Sequence, residues 1–569
     1  MEPEPPAPAR PRAVTALAPR RPELRARHGA VASTHWLASG AGMAMLERGG
    51  NAFDAAAATG FVLQVVEPHM NGLGGEAPIL LWSAERERVE VVCGQGPAPA
   101  GATTAHFREL GLDLIPYNGL LATCVPAAFG AWLHMLAVHG RLELDEILEP
   151  AIAYARDGFP VSQGLHDVIA TVAELFRLHW PTSARRWLPD GSPPPVGSIL
   201  RSSQLAATYQ ALVDAGRGAP TRAARIEAAR RAFYEGFVAE EIDRFVQSPV
   251  MDGSGRTHSG VLTGEDLARF AVAVEEPLTI DYAGVTVCKP ATWTQGLVLL
   301  QQLALLARTD IAQVPRDSGR FAHLVVEAAK LAFADREAWY GDPAFVDVPV
   351  DDLLSPAYSA QRARLIGEQA SFELRPGAPG GRRPRLPDEI DGVADRAGPG
   401  VGEPTIPALG FCLGSRAQMF WLGEGLPGSL APGKRPRSTL SPSLALRDGR
   451  PWLAFGTPGG DFQDQWSLVF LLTLLHHEPD AQAAIDAATF HTLHAPSSFY
   501  PRRSVPGRIH VEGHTAEEAV ADLRARGHDV VVDEPWSQGQ LSAVGVDPAS
   551  GWLRAAANPR GGQGHAVGR

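Results

Sequence analysis

The sequence predicts an α+β fold, a largely antiparallel sheet covered by helices, and three observations carry that expectation. Apolar residues recur at three- and four-residue spacing over long stretches between residues 125 and 345. Short alternating apolar runs separated by turn residues crowd the C-terminal third. The composition, 45% hydrophobic and 20% charged over 569 residues, is that of a globular chain that buries a core.

Each element follows from its own stretch. Residues 1–28 are rich in Arg and Pro, lack an apolar run of signal-peptide length, and read as a flexible tail. GAGMAMLERGGNAFDAAAATGFVLQVVEP predicts a helix, a Gly49-Gly50 turn, and an Ala-rich helix opened by Asn51. MNGLGGEAPILLW is a glycine-dense loop feeding a strand, with RVEVVCG as its hairpin partner. Its Gly72-x-Gly74-Gly75 cluster is a poor nucleotide loop, because the order is helix–loop–strand where a dinucleotide site needs strand–loop–helix. FGAWLHMLAVHG, DEILEPAIAYARDG and HLVVEAAKLAFADREAWY read as helices, and EEPLTIDYAGVTVCKP alternates like strands. Residues 29–374 thus form one large region, and the aperiodic Pro/Gly/Arg-rich run 375–407 is expected to be a loop or processing junction. In the remaining region, 408–569, PSLALRDGRPWLAFGTPGG carries a hairpin signal at Arg447-Asp448-Gly449. AEEAVADLRARG then reads as a helix, and DVVVDEP, LSAVGVD and WLRAAAN as strands.

Charge and cysteine usage exclude several function classes. With 51 basic and 63 acidic residues the net charge is −12, which repels a phosphate backbone and argues against nucleic acid. Cys93, Cys124, Cys288 and Cys412 lie far apart without C-x-x-C spacing, so a reducing compartment is the easier home. No stretch of about 18 uncharged apolar residues occurs. A cytoplasmic chain with no membrane partner is expected. His476-His477-Glu478 and His491-x-x-His494 lack a third ligand at useful spacing and read as helix-end or surface histidines. No metal and no cofactor is expected.

The most chemical segment is PGKRPRSTLSPSLALRDGRPWLAFGTPGGDFQDQW. Ser438 and Thr439 place two hydroxyls before a strand, and Gly459 and Gly460 follow the next strand and open toward a helix. Paired glycines there can aim two backbone N–H groups at a developing oxyanion without Cβ obstruction. Two ordinary loops flanking a hairpin would leave the same signature.

These residues, with the rest of the chain from about Gly29 onward, resemble the gamma-glutamyltranspeptidases, or glutathione hydrolases, which are N-terminal nucleophile hydrolases. GGNAFDAAAATGFVLQVVEP followed by NGLGGEAPILLW is similar to the family's opening signature. VPAAFGAWLHMLAVHGRLELDEILEPAIAYARDGFPVS, LTGEDLARF and TQGLVLLQQLALL are similar to its large subunit, and APGKRPRSTLSPSLALRDGRPWLAFGTPGGD to its small-subunit core. The resemblance implies a four-layer αββα sandwich made as one precursor. The precursor cuts itself to expose a threonine that is nucleophile and, through its α-amine, general base. The two subunits of that precursor would act on a small-molecule amide through an acyl-enzyme. Gly459 and Gly460 would be the oxyanion donors, with Gln95, Arg416, Met419, Ser438 and Thr439 lining the substrate pocket.

The sequence departs from the family in two places. The family's Thr-x-His strand, its G-N-x-x-S strand and the following glycine-rich loop have no counterpart, because GPGVGEPT runs straight into IPALGFCLGS. Two core strands are therefore expected to be missing, and Thr405, the only threonine at the junction, is the candidate nucleophile. Where the family holds the glutamyl α-carboxylate with an arginine, this chain has Gln95, which lacks the charged fork. Where the family has acidic residues before a phenylalanine, it has Gln418-Met419-Phe420. The resemblance implies an amidohydrolase or acyltransferase with a specificity altered from glutathione. The alternative is a non-catalytic relative, a binding or assembly module, or a defective truncated homologue.

Overall fold

The computed structural model describes residues 21–387, 403–560, 562 and 564–569. The elements that position the site are strands β1 (Leu24–Ala26), β2 (Ala30–Ser33), β3 (Ile79–Ser83), β4 (Arg88–Val92), β5 (Val274–Glu275), β6 (Leu278–Tyr282) and β7 (Val285–Lys289). They continue as β8 (Ser443–Arg447), β9 (Arg450–Gly456), β10 (Ser542–Val546), β11 (Leu553–Ala557) and β12 (His565–Gly568). The helices used below are α1 (Trp36–Glu47), α2 (Ala52–Val66), α3 (Ala128–His139), α4 (Leu297–Leu306), α5 (Gly319–Trp339) and α6 (Gln463–His476).

The fold is α+β. A seven-stranded antiparallel sheet runs in the order β1-β11-β10-β9-β8-β7-β6. Period-2 alternation sorts its side chains: Leu453 and Phe455 of β9 join a core with α4, α5 and α6, while Ala454 between them points to the other face. The expected hairpin forms at Arg447–Arg450, where Asp448 (φ 51°) and Gly449 (φ 72°) supply the left-handed pair that a tight two-residue turn requires.

The second face of this sheet meets two separate pieces. The pair β12-β2 lies across β10, β11 and β1, backed by α1 and α2. The triple β3-β4-β5 lies across β7 and β8, backed by α3. Among the described residues no strand pairs with the second edge of β2 or of β3, and none lies over β9, so Ala454 is exposed in the middle of a seven-stranded sheet. An open slot therefore lies over β9, between the two pieces.

Local sequence explains the framing helices. Asn51 caps α2 by accepting from the amides of Phe53 and Asp54, and the Asn51 amide donates to Asp54 Oδ2 at 2.8 Å, a reciprocal capping box. The Ala/Gly faces of α1 and α2 let their backbones close up, and a Cβ at Gly42 would stand 2.2 Å from Thr59 Oγ1.

The tail expected through residue 28 ends earlier. Residues 1–20 lie outside the described part, but Leu24–Ala26 pairs with β11, and buried Glu23 takes the Arg554 guanidinium. Of the junction 375–407, residues 388–402 lie outside the described part; Gly377 N donates to buried Asp335, and Glu403–Ile406 is buried.

Candidate functional site

The loop after β9 turns at Gly459 (φ 139°) and Gly460 (φ 57°) and enters a single 3-10 turn before α6. Both glycines are required sterically as well as by φ. A Cβ on Gly459 would lie 2.3 Å from the Trp466 ring, and one on Gly460 2.7 Å from Phe499. Among the described residues neither amide donates a hydrogen bond, and both precede the N-terminus of α6, where the helix field favours negative charge. The arrangement can receive an oxyanion.

Ser438 is tied to this turn through Gln295. The Gln295 amide donates to Ser438 O at 2.9 Å, and Gln295 Nε2 donates to Gly460 O at 3.2 Å. Arg336, near the end of α5, donates to Gln295 Oε1 at 3.0 Å and ion-pairs Asp461, the next residue of the turn. Asp461 also accepts from Ser498 Oγ at 2.6 Å and Ser498 N at 2.8 Å. Behind it, Glu337 bridges Arg336 (2.8 Å) and Arg437 (2.9 Å), and Arg502 donates to the carbonyls of Ser498, Gln418 and Phe420.

Three buried guanidiniums thus share two carboxylates. Burial by itself raises the Asp461 carboxyl, but Arg336 and the Ser498 donors outweigh it and hold it below the usual range. Glu337 is likewise raised by burial and lowered further by Arg437 and Arg336. The unmatched cation is Arg502, pushed down to about 9 by burial and by Arg437.

The remaining expected site residues fall into three places. Arg416 ion-pairs buried Glu76 at 3.0 Å and reaches Thr439 Oγ1 at 3.4 Å, so these two candidates are brought together. Burial raises the Glu76 carboxyl despite that arginine. Met419 is buried at the end of the 3-10 turn Arg416–Met419. Gln95 is buried, donates to Gly96 O at 3.1 Å, and leaves its own Oε1 without a partner.

Thr405 stands among helices instead. Its amide donates to Ser183 Oγ at 2.9 Å, and its hydroxyl accepts from Trp187 Nε1 at 3.1 Å and Ser183 Oγ at 3.3 Å. Among the described residues it shares no hydrogen-bond partner with the Gly459–Asp461 turn. Gln295, Arg336, Glu337, Asp461 and Glu76 were not read from sequence. Arg336 lies on a helix that also buries Glu327, Lys330, Asp335 and Glu337, and its Asp461 partner is 125 residues away, so no local spacing announces it.

Among the described residues, one group of histidine and acidic side chains converges closely enough to weigh as a cation site. His491, on the strand Phe490–Thr492, and His494 are buried rather than helix-end or surface residues; His491 Nδ1 meets Gln538 Oε1 at 3.0 Å, and the His476 ring meets Tyr282 OH at 2.9 Å. His323, Glu327 and His528 converge within 4.8 Å, but Lys330 Nζ already sits 2.6 Å from Glu327, and the two histidines bond each other at 2.9 Å. With Lys330 on Glu327 and the two histidines on each other, that donor set does not fit a cation, and only His528 Nδ1 among its ring nitrogens is left without a partner.

An α+β scaffold presenting paired glycine amides beside a buried charged cluster is a frame for acyl chemistry at a carbonyl. The gamma-glutamyltranspeptidase family model matches residues 38–389 and 402–568, and the chain belongs to that family. It is similar to the glutathione hydrolase-like YwrD proenzyme of Bacillus subtilis (strain 168), 32% identical over 95% of this chain and 98% of the relative. Among solved structures it resembles LmbA2991HD, with a TM-score of 0.91 and 49% identity over 96% of this chain and 99% of that one. It also resembles the cephalosporin acylase from Bacillus halodurans, with a TM-score of 0.83 and 28% identity over 98% and 99%. By this membership the chain is an enzyme of the amide-hydrolysing and acyl-transferring class.

Proposed function

We propose that this chain hydrolyses an amide, or transfers its acyl group, with an acyl group other than γ-glutamyl. The observation that carries the reading is the Gly459–Gly460 turn, its amides undonated and its position fixed by Gln295, Arg336 and Asp461. In this reading the two amides stabilise the oxyanion, and Ser438, Thr439 and Arg416 border the acyl pocket. Gln95 and Met419 offer no charged partner to a glutamyl carboxylate and amine, which supports a neutral or less charged acyl group. The architecture is a four-layer αββα sandwich whose second sheet is open by about two strands over β9. No helix among the described residues is long and apolar enough to cross a membrane, and four unpaired thiols accord with a reducing, cytoplasmic setting.

A second reading, a non-catalytic relative, draws on Thr405, whose amide and hydroxyl are both engaged in the uncut chain. The purified protein is incubated with a γ-glutamyl anilide and a neutral acyl anilide, and its intact mass is recorded. Turnover favouring the neutral donor supports the proposal. A strong preference for the γ-glutamyl donor overturns the altered specificity. No turnover of either, with a single chain of 60.5 kDa, replaces the proposal with the non-catalytic reading. Two fragments with Thr405 as the new N-terminus would make Thr405 the nucleophile.

A further inference from the structure

A cavity of about 70 Å³ opens between the helices Gln163–His179 and Pro181–Trp187 and the segment Glu403–Cys412. Its walls are apolar and aromatic, chiefly Ile169, Phe176, Trp180 and Trp187. One group is out of character with those walls. Glu403 is 4% exposed, and neither of its carboxyl oxygens has a hydrogen-bond partner. A buried polar group left without partners is destabilising, the more so when charged.

Nothing among the described residues compensates it. The charged neighbour that acts on Glu403 is Asp252, of the same sign, itself hydrogen-bonded to His258 at 2.7 Å. Arg186 stacks on Trp187 at 4.2 Å and makes no ion pair with Glu403. Cys412 is a neutral thiol, its ionisation opposed by burial and by Glu403. His69 lines the same cavity, is lowered to about 4 by burial, and leaves Nδ1 without a partner. The pocket lining therefore combines a carboxyl, a neutral imidazole and the Thr405 hydroxyl with aromatic walls, and among the described residues it holds no cationic side chain.

We propose that this cavity binds a primary ammonium on a short apolar stem, with Glu403 as its counter-ion. The ammonium offers three donors, enough for the two Glu403 oxygens and the open His69 nitrogen. The rings of Phe176, Trp180 and Trp187 suit both the cation and its methylenes. At roughly 10–15 Å³ per water-sized atom, the volume admits about five heavy atoms, a butylammonium-sized head. Burial and the like charge of Asp252 push the Glu403 carboxyl well above its ordinary value. A bound ammonium favours the ionised carboxylate, and any proton the carboxyl carried leaves to solvent. The site is separate from the Gly459–Gly460 turn and does not rest on the proposed reaction.

The test is calorimetry on the full chain with n-butylammonium chloride, and with n-butanol as the neutral isostere. Expected are saturable binding of butylammonium at least tenfold tighter than of butanol, and net proton release on binding, read from two buffers of different ionisation enthalpy. Glu403→Gln, which preserves shape, loses at least tenfold in butylammonium affinity and all the proton release. Trp187→Leu weakens binding but keeps the proton release. Equal binding of butanol and butylammonium, or no binding to the folded wild type, overturns the proposal. So does unchanged butylammonium affinity in a Glu403→Gln protein with a wild-type melting curve.

Discussion

Replacing Asp461 with Asn tests whether the charged cluster fixes the glycine turn. The amide keeps the shape and the contact to Ser498 N but removes the charge that faces Arg336. Three guanidiniums then share Glu337 alone, in a region where Arg336 and Arg437 are fully or almost fully buried. Breaking a buried pair by removing one partner costs about 3–5 kcal/mol, because the surviving charge stays desolvated. At about 2.1 cal/mol/K per residue, 569 residues give an unfolding entropy near 1.2 kcal/mol/K. The expected fall in Tm is then about 3–4 °C if the chain melts as one unit. The pH dependence supplies a sign. Asp461 has a depressed folded value, so its contribution is fully present above the unfolded carboxylate pKa of about 3.9 and is lost as pH falls through the folded value. The gap between wild type and Asp461→Asn should be constant above about pH 5 and shrink below about pH 4. Calorimetric melts from pH 3 to 8 read both features. A variant within 1 °C of wild type at pH 7 would refute the claim that this carboxylate holds the cluster.

Ala454→Lys should shift Tm by less than about 1 °C, because an ammonium on an open sheet face stays hydrated, whereas a covered site would suffer several kcal/mol. A large drop would show that the slot over β9 is filled in solution. His491 and His494 are lowered to about 4 and His528 to about 3, chiefly by burial. Stability from these neutral rings is full above about pH 6.5 and declines as pH falls toward 4, so the urea midpoint at pH 5 should lie below that at pH 7.

Much of the fold was legible because it is written in local period. The α1–α2 pair shows in its Gly49-Gly50 turn and Asn51 cap, and the β8–β9 hairpin in Asp448-Gly449. Strand β1 was not legible. Three residues in an Arg/Pro-rich stretch carry no period, and what makes them a strand is an edge more than 500 residues away. The site divides the same way. Gly459 and Gly460 could be read from sequence because their residue type is a backbone requirement, whereas Arg336 and Gln295 owe their place to tertiary packing. The signal that could have found Arg336 is a charged residue on the buried face of α5, one that needs a partner somewhere.

Thr405 is held away from the Gly459–Gly460 turn by the path of the chain after the junction. From Thr405 onward the chain is fastened step by step to the helical half. Ile406 N donates to Phe411 O, Leu409 O accepts from Thr208 Oγ1, a Cβ on Gly410 would meet Leu205 N at 2.5 Å, and Leu413 bridges Gly74. Only then does the chain reach Arg416 and the acyl side of the site. For Thr405 to meet a carbonyl held by Gly459 and Gly460, these anchors and the Ser183 and Trp187 bonds would have to open, leaving buried polar groups unpaired at about 1–3 kcal/mol each. The described residues leave Ala454 exposed and one edge of β2 and of β3 unpaired, while Thr405, the only threonine of the junction, is held among the helices. That separation is why intact mass and acyl-anilide turnover, measured on the same preparation, discriminate between the two functional readings.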